Sequence, residues 1–112
     1  MKKSVIVLCM GNACRSQMAE GYLHYYTQGR VTIHSAGFRA DGLHPIAIEV
    51  MKEDGIDISQ QYSKSIATFS EQKFNFAITV CDEAAKVLPP FPSTTQVLHI
   101  HFQDPSQVQG SQ

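Results

Sequence analysis

The sequence predicts a single α/β domain, in which helices flank a four-stranded parallel sheet in a doubly wound arrangement. The continuous apolar run Val5–Leu8 is rich in β-branched residues, which is typical of a strand buried on both faces. Three further strand patterns follow, and helical patterns or turn residues separate them. The 112 residues suffice for one hydrophobic core and not for two. We therefore expect a ligand site beyond the C-terminal ends of the strands.

The first helix is predicted over residues 15–28, directly after the first strand. Gly29 follows as a stop signal. The apolar and aromatic residues of this stretch recur at helical spacing, so we expect them to pack inside the domain rather than to form a recognition surface. They are Met18, Tyr22, Tyr25 and Tyr26.

A second strand and helix follow in the same order. Val31–Ser35 is the strand, and Pro45 opens a helix that Gly55 ends. The apolar face of this helix comprises Ile46, Ile48, Val50 and Met51.

The second half of the chain repeats the pattern less regularly. Prolines 89, 90 and 92 exclude helix and ladder pairing, so this stretch is predicted as a rigid loop. The predicted elements are an extended link over 56–59, a short helix over 65–73, strands over 74–80 and 95–102, and a turn at Asp104-Pro105. We expect the domain to span 1–106 and to be followed by a frayed polar tail, 107–112.

Composition narrows the possible partners and compartment. A net charge of −1 gives no general attraction to nucleic acid or to an anionic membrane, so we expect neither as a partner. No apolar run approaches membrane-spanning length, and the N-terminus lacks a signal-peptide pattern. Three cysteines without paired spacing do not resemble a secreted disulfide framework, so we predict a cytoplasmic protein.

No cofactor and no bound metal are predicted. His99 and His101 alternate on one strand and would share a face, a pattern that can bind metal. The sequence offers no third ligand at a plausible spacing.

The segment from Cys9 to Ser16 carries the strongest chemical signal. Gly11 and Asn12 tolerate positive φ, so the backbone N–H groups between Cys9 and Arg15 can curl inward into an anion-binding nest. The N-terminus of the following helix and the Arg15 guanidinium would add donors and positive charge, which favours a Cys9 thiolate. A cysteine at the end of a buried strand is otherwise only a small hydrophobe.

Other polar residues fall at or just after predicted strand ends. They are Ser35, Cys81 and Asp104, and in a parallel sheet they can converge with Cys9 on one rim. Taken alone, Asp104 reads as a turn residue and Cys81 as a buried core thiol.

Residues 9–21, with the sequence CMGNACRSQMAEG, resemble the active-site loop of the thioredoxin-coupled arsenate reductases, which share the fold of the low-molecular-weight protein tyrosine phosphatases. The resemblance spans nearly the whole chain. It continues through Ser35-Ala36-Gly37, Gly42–Pro45, Gly55–Ser59, Thr79–Asp82 and His99–Pro105.

The resemblance implies a role for each matching residue. Cys9 would be the nucleophile, Arg15 the oxyanion clamp and Asp104 the general acid, while Cys81 would attack the Cys9 sulfur to form a Cys9–Cys81 disulfide as arsenite leaves. Asn12 would hold the loop in shape, and Ser16 would bond the Cys9 thiolate. The implied oxyanion-binding residues are Gly11, Asn12, Ala13, Cys14, Arg15 and Ser16, and the substrate is arsenate or phosphate.

Two departures from the family pattern bear on mechanism. Members of the three-cysteine type carry another resolving cysteine a few residues beyond Cys81, and residues 83–90 contain none. Thioredoxin, glutaredoxin or a small thiol would therefore attack the Cys9–Cys81 disulfide or the arsenic adduct directly. The closing helix that normally follows the Asp-Pro turn is also expected to be missing.

Two alternative functions remain open from the sequence. A phosphatase acting on phosphotyrosine or small aryl phosphates would need only Cys9, Arg15 and Asp104, whereas a reductase also needs Cys81. A weakly active oxyanion-binding protein is the third reading.

Overall fold

The computed structural model describes residues 2–69, 72–86 and 91–100. They form one parallel four-stranded sheet in the order β2-β1-β3-β4, which confirms the predicted fold class. The strands are β1 Lys3–Cys9, β2 Val31–Gly37, β3 Phe76–Thr79 and β4 Gln96–His99. The helices are α1 Arg15–Thr27, α2 Pro45–Glu53 and α3 Asp82–Lys86, with a 3₁₀ turn at Ile66–Phe69.

Strand β1 lies at the centre of the sheet and contributes to the core on both faces. Val5, Val7 and Cys9 point to the side on which α1 and α3 pack. Ile6 and Leu8 point to the other side, where the 3₁₀ turn and Phe91 cover them in the described part of the chain. This two-sided burial explains why the run reads as continuously apolar.

Helix α1 differs from the predicted packing. Tyr25 and Tyr26 are 55% and 67% exposed, so the expectation that they pack inside is wrong, while Tyr22 is half-buried beside the α2 cluster. The residues that α1 buries are Ser16, Gln17, Met18, Glu20 and Gly21. Polar side chains occupy the inner face because the first two turns of α1 enter a hydrogen-bonded site rather than an apolar core.

The later elements are shorter than the sequence suggests. Only residues 66–69 of the helix predicted over 65–73 are helical, as a 3₁₀ turn, and the short helix α3 was not predicted. Strand β4 ends at His99 instead of continuing to residue 102. The described residues do not include Asp104, the predicted domain end at residue 106 or the predicted tail, 107–112. The expectation about a closing helix also falls outside them.

Candidate active site

The loop between β1 and α1, residues 10–14, turns its carbonyl groups outward. Each carbonyl accepts a hydrogen bond from a group outside the loop interior. The Arg39 amide donates to the carbonyl of Met10 at 3.0 Å, and the Asp41 amide donates to that of Gly11 at 2.9 Å. The Gln17 side-chain amide donates to the carbonyl of Asn12 at 3.0 Å. The His44 and Met18 amides donate to those of Ala13 and Cys14, at 2.8 and 2.9 Å. In a trans peptide unit the N–H points opposite to the carbonyl. The amides of residues 11–15 therefore point toward the inside of the loop, as an anion-binding nest requires.

Gly11 and Asn12 fulfil different requirements in this loop. Asn12 has a positive φ of 50°, as predicted, but Gly11 is not among the residues with positive φ. A Cβ at Gly11 would lie only 2.3 Å from the Asp41 carboxylate oxygen Oδ2. Glycine at position 11 is therefore favoured by close packing against the Asp41 side chain and not by a positive φ.

Asn12 is completely buried and its side chain makes hydrogen bonds at both ends of the amide. Its Oδ1 accepts from the Lys64 backbone amide at 2.7 Å and from Gln17 Nε2 at 3.0 Å. Its Nδ2 donates to the hydroxyls of Ser16 and Ser35, at 2.8 and 2.9 Å. This side chain therefore joins the loop to α1, to β2 and to the segment around residue 64.

The Cys9 thiol sits at the end of this network. Its Sγ lies 2.9 Å from the Ser16 hydroxyl oxygen, and both residues are buried. The Ser16 oxygen accepts from Asn12 Nδ2, and its hydroxyl proton donates to sulfur when Cys9 is a thiolate, because a thiolate has no proton to donate. A donated hydrogen bond of this kind stabilises a thiolate.

A buried ion pair lies at the far end of the same network. The Ser35 hydroxyl donates to Glu20, whose Oε1 lies 3.9 Å from Lys64 Nζ. Lys64 Nζ also donates to the Tyr62 carbonyl at 2.8 Å and sits 4.5 Å from the centre of the Tyr62 ring. Burial lowers the pKa of the Lys64 ammonium, and the Glu20 carboxylate opposes that shift.

The segment 61–64 packs against the loop and the start of α1. The sequence analysis did not identify two of its residues, Gln61 and Ser63, as part of the site. Gln61 Nε2 donates to the Gln17 side-chain oxygen at 2.8 Å, and the Ser63 hydroxyl donates to the Gly11 carbonyl at 3.2 Å. These contacts join residues 44 and 52 positions apart. No local pattern in the sequence signals pairs at that separation.

The three cysteines are buried without a disulfide between them, and they separate into two core clusters. Cys9 and Cys81 belong to the cluster that α1 and α3 cover. Cys14 belongs to the other cluster, against α2, where its Sγ lies 4.0 Å from the Met18 sulfur. Cys81 is therefore the thiol that shares a cluster with the candidate nucleophile.

The structure describes some of the remaining predicted site residues and not others. Arg15 begins α1 directly after the loop, and Ser35 belongs to the hydrogen-bond network of Asn12. Asp104 and His101 lie outside the described residues. His99 contacts Thr79 and Asp82, and within residues 2–69, 72–86 and 91–100 no group of three His, Cys, Asp or Glu side chains could hold a metal ion.

Residues 4–109 match the family described as low molecular weight phosphotyrosine protein phosphatase. The chain belongs to this family. Within it, an arsenate reductase of Halalkalibacterium halodurans is 44% identical over 110 residues, which cover 98% of this chain and 79% of that protein.

Two solved structures of family members resemble this fold closely. An arsenate reductase in the phosphate binding state superposes with a TM-score of 0.82 at 36% identity, covering 93% of this chain and 79% of that one. The thioredoxin-dependent arsenate reductase Cg_ArsC1' of Corynebacterium glutamicum has a TM-score of 0.77 at 27% identity, covering 91% of this chain and 50% of that one. In the described part of this family member, no helix is long and apolar enough to cross a membrane.

Proposed function

We propose that this chain is an arsenate reductase with Cys9 as nucleophile and Cys81 as the second redox thiol. One observation carries the proposal: Cys9 ends β1 directly before a loop of inward-facing amides and shares its core cluster with Cys81. A phosphatase of the same fold needs the loop but has no use for a second thiol. The reductases among its relatives support the same reading.

The first step is the attack of the Cys9 thiolate on arsenate. An S–As bond forms and one oxygen leaves as water after protonation, so arsenic remains As(V). The amides of the loop and the Arg15 guanidinium stabilise the charge on the remaining oxygens. Asp104 is our proposed proton donor to the leaving oxygen, by resemblance to the family.

The second step transfers two electrons to arsenic. Cys81, as thiolate, attacks Cys9 Sγ, so an S–S bond forms while the S–As bond breaks and its electron pair stays on arsenic. Arsenite leaves as As(III), and the dithiol has become a disulfide. A dithiol protein or two small thiols then reduce this disulfide by thiol–disulfide exchange, so that Cys9 and Cys81 become thiols again and the donor becomes a disulfide.

The reductant and the compartment are finer parts of the same proposal. Thioredoxin, glutaredoxin or a small thiol would reduce the Cys9–Cys81 disulfide, and the Corynebacterium glutamicum relative is described as thioredoxin-dependent. Such regeneration suits a reducing compartment, so we propose a cytoplasmic enzyme.

The test separates reduction from hydrolysis by removing one thiol at a time. Cys81→Ser should abolish arsenite release and disulfide formation, yet keep Cys9-dependent hydrolysis of p-nitrophenyl phosphate. Cys9→Ser should abolish both. Mass spectrometry after arsenate exposure should find a loss of two hydrogens, mapped to Cys9 and Cys81. Arsenite release that survives either substitution would refute the scheme.

A further inference from the structure

The imidazole of His99 joins two residues that flank Cys81. Its Nδ1 lies 2.7 Å from the hydroxyl of Thr79, at the end of β3, and its Nε2 lies 3.0 Å from a carboxylate oxygen of Asp82, the first residue of α3. Thr79 is completely buried, whereas the His99 and Asp82 side chains are 39% and 67% exposed. The bond to Thr79 is thus the shielded one of the two.

Cys81 lies where the chain leaves the alternation of β3. Along that strand, Phe76, Ile78 and Val80 point to the side of Cys9, and Ala77 points to the opposite side. Strict alternation would send Cys81 to the side of Ala77. The Cys81 side chain instead belongs to the cluster of Cys9, because the chain bends at this residue and enters α3.

His99 is bonded on both sides of that bend. The contact with Thr79 fixes the residue two positions before Cys81, and the contact with Asp82 fixes the residue after it. The Ala85 amide donates to the Cys81 carbonyl at 3.2 Å, the upper end of the usual range. Because His99 bonds to residues on both sides of Cys81, it links β4 to the bend that carries the Cys81 thiol.

We propose that His99 is a positioning residue that holds Cys81 on the Cys9 side of the sheet for attack on the Cys9 sulfur. The proposal rests on the proposed function, and it assigns His99 to the second step alone. Its physical basis is that a positioned thiol reacts at a high effective concentration, which falls when the thiol samples more positions. Arsenate binding and attack by Cys9 do not involve this residue.

The experiment compares the two steps in His99→Phe and in Thr79→Val, which removes the buried hydroxyl with little change of shape. We expect arsenite release to fall about fivefold, within the range of one lost hydrogen bond. Hydrolysis of p-nitrophenyl phosphate, which uses Cys9 alone, should stay within about twofold. The control is Val97→Thr, an exposed change on the same strand, which should leave both rates unchanged.

A second measurement tests the role of His99 even if the chain proves not to be an arsenate reductase. If the wild-type chain releases no arsenite, the rate of Cys9–Cys81 disulfide formation under diamide, a thiol oxidant, still reports the position of Cys81, and the same fivefold slowing is expected. Faster or unchanged disulfide formation in both variants would overturn the proposal. An equal loss of reduction and hydrolysis would also overturn it, because it would show a general structural role.

Discussion

The two thiols of the site lie in regions that are held in contrasting ways. Around Cys9, each carbonyl of residues 10–14 is bonded outward, and the buried Asn12 side chain ties the loop to three other segments. Around Cys81, the surroundings are apolar, and the side-chain anchor is the partly exposed His99. The loop is held by buried polar bonds, whereas the second thiol is held by packing and one imidazole.

The contrast matches the different demands of the two chemical steps. An oxyanion site works because its donors are oriented before the substrate arrives, so any freedom in the loop weakens it. A resolving thiol must approach to an S–S distance of about 2.05 Å. Its segment must therefore move during the second step, from a starting position close to Cys9, whereas the loop must stay fixed. If the rigidity of the loop resides in the residues named above, substitutions at those residues should cost more stability than matched changes elsewhere.

The largest effect is expected from Asn12→Ala. The change leaves buried donors and acceptors on several partners without their bonds and places alanine at a positive φ, so we expect a loss of about 4 kcal/mol in the free energy of unfolding. Alkylation of Cys9 by iodoacetamide at neutral pH should also slow. Urea unfolding and the alkylation rate are the measurements.

Two variants serve as controls for that loss. Asn12→Gly tolerates the positive φ, so the difference between the glycine and alanine variants reports the backbone strain less the extra chain entropy that glycine loses on folding. Asn75→Ala removes an exposed asparagine whose Oδ1 accepts from the Ser4 amide, and should cost under about 1 kcal/mol. A similar small loss for Asn12→Ala would contradict the importance of the network.

A smaller effect is expected from Lys64→Met, which removes the buried cation and keeps a long side chain. We expect a loss of about 2 kcal/mol, below the usual range for a broken buried pair because the Nζ–Oε1 distance is 3.9 Å and His24 lies 3.2 Å from the other Glu20 oxygen. The exposed Lys73→Met is the matched control. Equal losses in the two variants would show that the pair does not support the site.

The same variant has a signature in the pH dependence of stability. Burial holds the pKa of Lys64 below its ordinary 10.5 in the folded protein. Just below pH 10.5 the unfolded chain then binds more protons than the folded one, so Lys64 makes stability rise with pH in that window. The contribution should disappear in Lys64→Met, as measured by urea unfolding across alkaline pH. An unchanged slope would contradict it.

Local patterns in the sequence predicted β1, the loop that follows it and the start of α1. The apolar run Val5–Leu8, the turn residues after Cys9 and the start of α1 at Arg15 all depend on neighbours in the chain, and the structure confirms each element. The sequence also predicted the nest, because Gly11 and Asn12 tolerate the backbone conformations that turn successive N–H groups inward.

The supports of the site were less predictable, and the reason is physical. The face of α1 was predicted from aromatic spacing, which assumes that buried means apolar. Ser16, Gln17 and Glu20 are buried because distant polar partners satisfy them, and Lys64 and Gln61 reach them across more than forty positions. A single sequence does not encode such pairs in any local period.

The smallest effect is expected at Gly11, where the loop meets the segment 38–44. A Cβ would lie 2.3 Å from Asp41 Oδ2, but this side chain is 43% exposed and can swing away from its pairing with Arg39 Nε, so Gly11→Ala should cost about 1 kcal/mol. In an Asp41→Ala background the carboxylate is gone and only the Cβ of residue 41 remains, 3.3 Å away, so the same substitution should cost clearly less. A double-mutant cycle from urea unfolding measures this coupling. If the stability losses of the two substitutions simply add, the loss in Gly11→Ala arises in the loop backbone and not from contact with Asp41. The shape of the loop would then be determined by its own residues rather than by the segment 38–44.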